Sequence, residues 1–274
     1  MLKVMSTYVF LRQRLHPGLL EILCRSGAQG IEIFAARQHF DYTSRVHVRE
    51  IADWLRSNTL EFSSLHAPLF SDSEMGRGGA PSVNVVHPDK SRRIDAMDEV
   101  KRALEVAEQA PFKFLILHLG EREDRWNQRT LEHAMTAIEH LKAFARPLGV
   151  KLLLENIPNE VTRPENLLEI LSIGHFTDVG ISLDLGHAHA GEGVHATLEQ
   201  LKALVCEVDI HDNHGMKDEH LWPGTGSIDW AAAMTGLHGL PQLCPAVLEI
   251  ACQPEESPEA VVQRAAETFA RLEL

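Results

Sequence analysis

Short, almost wholly apolar runs recur along the chain at a pitch of roughly 30 residues, the spacing of repeated βα units. They fall near 3–10, 30–34, 61–66, 112–118, 150–155, 179–185, 206–211 and 245–250. Runs apolar on both alternating faces are what parallel strands need when helices cover the sheet. Between them the apolar positions step by three and four. Ile94, Met97, Val100, Leu104 and Ala107 make one such face, and Leu131, Ala134, Ile138, Leu141 and Ala145 another. Thr162-Arg163-Pro164-Glu165 has the form of a capping box, and Ser257-Pro258 sets a cap before a first-turn proline. Eight units without a linker predict a single α/β domain over residues 1–274, a (β/α)8 TIM barrel. In that fold the C-terminal strand ends meet at one mouth, where active sites are built.

The chemistry follows the same rhythm. His66, His118, Glu155, Asp184, His211 and Glu249 each close an apolar run: FSSLH, FLILH, KLLLE, ISLD, EVDIH and AVLE. His187 lies three residues beyond Asp184, and Asp218 and His220 follow His211 on a loop. Carboxylate oxygen and imidazole nitrogen are the ligands of catalytic zinc, manganese and related ions. A lone His or Asp at a strand end is ordinarily a hydrogen-bonding residue; six strands ending this way predict a metalloenzyme. In Asp218-Glu219-His220, alternation along an extended loop sends Asp218 and His220 to one side and Glu219 away. Long connections at 69–90, 120–127 and 212–227 all follow strands, so they belong to the same face as lids, walls or plain loop variation.

Other side chains carry less. His189, His195 and His214 sit near the motif without an evident ligand role, and His133 and His140 fall on a helix away from the mouth. Glu32, in GIEIF, either contacts substrate or orients the barrel floor, with the floor favoured. Trp126 and Trp222 offer ring stacking or loop packing; Arg122, Arg125 and Lys217 offer phosphate contact or solvated charge.

Composition narrows the partners. A formal net charge of −13 leans against a nucleic-acid surface, which is usually basic. The 4 cysteines form no C-x-x-C pair and read as reduced packing residues. The first run is broken by Ser6 and Thr7 and suits a strand better than a signal peptide, and no stretch reaches the ~20 apolar residues of a membrane span. A cytoplasmic protein is the expectation, with pairing as a homodimer left open.

At LLLENIP (152–158), LDLGHAHAGEG (183–193), DIHDNHGMKDEHLWPGTGSIDW (209–230) and VLEI (247–250) the chain resembles the xylose isomerase-like TIM barrels. That superfamily joins sugar phosphate isomerase/epimerase-like enzymes with the endonuclease IV-like enzymes of AP endonuclease family 2. The resemblance spans the chain and implies two nested sites. Its epimerases hold one Mn²⁺ or similar ion at positions matched here by Glu155, Asp184, His211 and Glu249. Its endonucleases hold three Zn²⁺. By that resemblance His66, His118 and Glu155 take one ion, the core four a second with Glu155 bridging, and His187, Asp218 and His220 a third.

Two mechanisms are implied. In the first, the cation polarises a sugar carbonyl and stabilises an enediolate while Glu155 and Glu249 move a proton between its faces. In the second, a zinc cluster hydrolyses a phosphodiester, as in an AP endonuclease. The complete ligand set suits the second. The acidic charge, the Ile157-Pro158-Asn159-Glu160 stretch after Glu155, and the lack of a basic-aromatic loop suit the first. A divalent metal-dependent isomerase or epimerase of a small sugar-like substrate is the leading expectation, with nucleic acid disfavoured as a partner.

Overall fold

The apolar runs pair with one another in chain order. The chain is described here by a computed structural model, which covers residues 1–252 and 256–274. Its strands are β1 (Leu2–Ser6), β2 (Gly30–Phe34), β3 (Glu61–His66), β4 (Phe114–Leu117), β5 (Lys151–Glu155), β6 (Gly180–Asp184), β7 (Val205–Ile210) and β8 (Pro245–Leu248). They form one closed barrel in sequence order, and β8 returns to pair in parallel with β1. Closure leaves no strand edge unpaired. The helices α1 (Pro17–Arg25), α2 (Arg45–Arg56), α3 (Lys90–Leu104), α4 (Gln128–Ala145), α5 (Pro164–Ile173), α6 (Leu185–Ala190), α7 (Val194–Leu201), α8 (Trp230–His238) and α9 (Pro258–Arg271) lie between strands or after the last. No described helix is long and apolar enough to cross a membrane.

The main apolar layer lies between barrel and helices. The whole predicted face of α4, from Leu131 to Ala145, is buried, each large aliphatic side chain contributing about 1.5–3 kcal/mol of transfer free energy. Ser257 caps α9 as expected, accepting from Ala260 N at 3.2 Å.

Three local expectations need correction. On α3, Ile94 is 43% exposed, and the buried face runs through Ala96, Glu99, Val100, Ala103 and Leu104. The cause is Glu99, whose carboxylate is drawn inward by Arg37 at 2.5 Å, by Tyr42 and by Arg102. The run 3–10 is a strand only to Ser6, because the Ser6 hydroxyl accepts from Tyr8 N and starts a 3-10 turn over Thr7–Phe10. Thr162 does not cap α5. Its hydroxyl bonds Ile157 O at 2.8 Å and Asn159 Oδ1 at 2.9 Å, and the helix starts with Pro164 after Arg163.

The barrel interior is unusual for this architecture. Where branched aliphatics normally fill the lumen, Ser6, Glu32, Ser63, Ser64, Ser182, Glu207 and Asp209 are all buried. Two strand irregularities accompany them. Glu32 pairs with Ser64 while Ile31 pairs with Phe62, so Ser63 is an extra residue in β3; likewise Cys206 is extra in β7. Such bulges re-aim side chains locally.

Candidate metal centre at the barrel mouth

The fold brings every predicted ligand to the C-terminal end of the barrel. His66, Glu155 and Asp184 are the last residues of β3, β5 and β6; His118, His211 and Glu249 follow β4, β7 and β8 directly. Their donor atoms fall into overlapping groups in which all atoms lie within 4.8 Å of one another. One group is His66, His118 and Glu155, a second Asp184, His211 and Glu249, a third His187, His211, Asp218 and His220. Glu155, Asp184 and His187 form a further set that joins them. Two features depart from expectation: Glu155 groups with Asp184 and His187 instead of with His211 and Glu249, while His211 joins the His187, Asp218 and His220 set, and the loop geometry differs. His220 has φ 46°, a left-handed residue rather than part of an extended segment, and this turn brings it to Asp218. Glu219 does point away, to His214 at 2.9 Å.

The donor set fits divalent cations. His66 Nδ1 lies 2.8 Å from Ala67 O, and His220 Nδ1 lies 3.0 Å from Glu249 O. A proton donated to those carbonyls leaves Nε2 of each neutral ring as a lone-pair acceptor. Those Nε2 atoms nonetheless face carboxylate oxygens, His66 toward Glu155 at 3.4 Å and His220 toward Asp218 at 3.0 Å. Two acceptors in contact need a cation or a proton between them. Donors about 2.1 Å from a tetrahedral ion sit about 3.4 Å apart, close to these separations. The other contacts are similar: His118 to Glu155 at 2.8 Å, His187 to Glu155 at 3.0 Å, and His211 to Asp184 at 3.0 Å.

Electrostatics separates the carboxylates. Burial opposes ionisation of Glu155, but His118, His187 and His66 hold its carboxyl well below the ordinary value. Asp184 is likewise lowered against burial by His187 and His211, and Asp218 against burial by His187 and His220. His187 is raised despite burial because Asp184, Asp218 and Glu155 surround it. Glu249 behaves oppositely. Burial, then Glu32 and Glu155, push its carboxyl well above the usual range.

Local hydrogen bonds fix these positions. The Asn156 amide bridges two ligand strands, donating to Asp184 O at 2.9 Å and accepting from Asp184 N at 2.8 Å. Asp184 also caps α6, accepting from His187 N at 2.6 Å. A β-carbon at Gly186 would overlap the His211 imidazole, so that position must remain glycine for the ring to sit as it does. Asp212 organises the loop bearing Asp218 and His220, accepting from Asn213 N, Gly224 N, Ile228 N and Trp230 Nε1.

Residues 20–272 match the sequence profile of the Xylose isomerase-like TIM barrel. The chain belongs to that family. Among curated relatives, the uncharacterized protein MJ1311 of Methanocaldococcus jannaschii is 28% identical over 184 residues, covering 63% of this chain and 59% of that protein. MJ1614 of the same organism is 26% identical over 147 residues, covering 52% and 56%. The chain thus spans little more than half the length of these relatives. Among solved structures, a D-tagatose 3-epimerase-like protein superposes with TM-score 0.79 at 22% identity, covering 100% of this chain and 96% of that one. The IolI protein with a bound zinc atom gives 0.81 at 20% identity, covering 99% and 98%. At such identities these likenesses speak for the fold alone.

In this family member a cleft of about 480 Å³ opens beside the ligands, between His187, Asp218, Asn156 and the three charged loop residues Arg122, Arg125 and Lys217. Trp222 is instead buried under Arg264, 4.9 Å from its ring, and Trp126 N donates to Glu160, so neither tryptophan lines the cleft. His189 bonds Ser227 at 2.8 Å and lies outside the ligand groups, as expected. Glu32 is buried within the barrel lumen beside Glu207 and Asp209.

Sequence reasoning missed four residues. Phe34 stacks on His66 with centroids 4.3 Å apart, and Tyr8 tilts against His220 at 4.7 Å. Phe34 closes β2 just as ligands close other strands, which was the available signal. Tyr8 had none, lying within a run read as strand. Glu207 and Asp209 were passed over inside EVDIH, although polar residues at 207, 209 and 211 alternate with apolar Val208 and Ile210.

Proposed function

We propose that this chain is a divalent-metal-dependent isomerase or epimerase acting on a sugar or sugar-like substrate. One observation carries the reading: Glu155, Asp184, His211 and Glu249, from the ends of four consecutive strands, gather at a mouth with an adjoining cleft. The cleft is within the ~300–1,000 Å³ range of small-molecule sites. The crystallographic neighbours named for sugar epimerisation, including an L-ribulose 3-epimerase at TM-score 0.76, support the substrate class.

Asp184, His211 and Glu249, with Glu155 at the edge, would hold a divalent ion, which when bound would supply Lewis acidity to a substrate carbonyl. The protein's own groups then handle the proton. Glu155 and Glu249 flank the reacting carbon, and each can take a proton from one side or return it from the other once a bound ion sets its proton affinity. They stand on strands separated by β6 and β7, so they address a bound substrate from different directions. One proton leaves carbon and one returns, so the reaction is redox-neutral and needs no co-substrate. His187, which borders the cleft, holds a substrate hydroxyl. Tyr8 and Phe34 pack on the His220 and His66 rings and hold them in place.

A second reading has a specific basis. The flanking groups His66–His118–Glu155 and His187–His211–Asp218–His220 offer places for further ions, which a zinc phosphodiesterase would use. Metal stoichiometry and substrate assays separate the two. Incorporation of solvent deuterium into ketoses, with about one ion per chain sufficing, supports isomerisation. Cleavage of an abasic-site duplex with about three zincs per chain supports hydrolysis. For the isomerase, Glu155→Gln and Glu249→Gln should each lower exchange by about 10²–10⁴-fold. Exchange at the unmutated rate in either variant removes that glutamate from the proton path.

A further inference from the structure

One strand repeat below the ligand rim lies a second group of acids that the proposed reaction does not use. Glu32 reaches in from β2, and Glu207 and Asp209 from β7, all at most 2% exposed. One oxygen of each lies within 4.8 Å of an oxygen of the others. Imidazoles touch the carboxylates of the rim, whereas here the nearest, His66, acts on Glu32 only through space. Among the described residues, Glu32 Oε1 and Oε2, Glu207 Oε1 and Asp209 Oδ1 lack a well-formed hydrogen bond, although the Ser6 and Ser64 hydroxyls face Glu32. The Ser64 hydroxyl, which is fully buried and faces Glu32 and Glu207, also lacks a well-formed hydrogen bond. Ser63 Oγ touches Glu207 Oε2 at 3.4 Å, and Ser182 donates to Asp209 Oδ2 at 2.8 Å.

Unpaired buried carboxylates cost several kcal/mol each and do not persist uncompensated. We propose that the barrel core beneath the rim binds a hard, oxygen-preferring divalent cation of the calcium or magnesium class, held by Glu32, Glu207 and Asp209. The donor set is oxygen alone, which selects such ions over zinc. The spacing is compatible, because three oxygens about 2.4 Å from one such ion lie about 4.2 Å apart, inside the 4.8 Å within which one oxygen of each residue falls. The serines at 64 and 182 leave space where a TIM barrel otherwise places branched aliphatics. Both strand bulges, at Ser63 and Cys206, occur beside the trio and bring hydroxyl and carboxylate groups inward together.

The test uses Ca²⁺, which has little affinity for the imidazole-rich rim. Protein is first saturated with zinc, then equilibrated with Ca²⁺ either folded or during refolding, because a closed core admits an ion most readily as it forms. After desalting, elemental analysis should find about one calcium per chain in the unmutated protein. Glu32→Gln and Glu207→Gln should each retain the zinc and lose the calcium. The glutamines are isosteric and neutral, and either variant suffices if the other fails to fold. Absence of calcium from both preparations, or undiminished calcium in both variants, would overturn the assignment and leave shared protons as the neutralising agent.

Discussion

The rim and the lumen of this barrel both carry buried carboxylates, yet Glu155 and Asp184 at the rim are shifted opposite to Glu32, Glu207 and Asp209 below them. At the rim Glu155 and Asp184 lie among imidazoles and are held ionised. One repeat lower, Glu32, Glu207 and Asp209 face serines and one another, and all three are pushed toward the neutral form. A carboxylate's position on a barrel strand therefore says little about its charge state. Its neighbours decide. The rim pairs hard and borderline donors, suited to zinc or manganese, whereas the lumen offers oxygen only.

The largest expected effect comes from breaking the rim. Asp184→Asn leaves His211 and His187 facing an amide in place of a carboxylate. Metal affinity, measured by competition with a chromophoric chelator, should fall by more than about 100-fold, the upper range for merely losing a supporting hydrogen bond. Retained affinity would remove Asp184 from the ligand set. Gly186→Ala is milder, since it leaves every ligand present but forces the His211 ring to move. A loss of about 10–100-fold in affinity is expected, with the far-ultraviolet spectrum unchanged.

pH sharpens the contrast in chelator-treated protein. Glu32 has a folded value near 7 against an ordinary 4.5, so its stabilising contribution is complete below about 4.5 and is lost as pH rises through about 7. The total is on the order of 3 kcal/mol, and Glu32→Gln should flatten that limb of a denaturant-derived stability profile. At the rim the sign reverses: Glu155 and Asp184 are depressed, so their contribution holds above the ordinary carboxylate range and is lost on acidification. A stability profile that rises between pH 5 and 7 and is unaffected by Glu32→Gln would contradict the lumen half of the comparison. The smallest effect belongs to the scaffold. Asn156→Ala removes both bonds between the ends of β5 and β6 and should cost about 1–3 kcal/mol, read from the denaturation midpoint.

The barrel was legible because its signal is repetitive: eight apolar runs, each of the six ending in a ligand placed where strands end. The positions of the rim side chains could be read one by one for the same reason. What escaped depended on tertiary partners. Glu99 turns α3 by attracting Arg37 and Tyr42 from elsewhere in the chain, so Ile94 loses its place in the core. Tyr8 joins the site only because Ser6 ends β1 early. Thr162 satisfied the spacing of a cap but found nearer partners in Ile157 and Asn159. Glu207 and Asp209 were visible as alternating polar residues, but their meeting with Glu32 needs the barrel to close β2 opposite β7.

The rim itself is tested most directly by anomalous diffraction at the zinc edge, from crystals of this chain grown with zinc. A peak bonded to Asp184, His211 and Glu249, with Glu155 at its edge, is the predicted result. Clear density for those side chains at saturating zinc, without a peak among them, would contradict it.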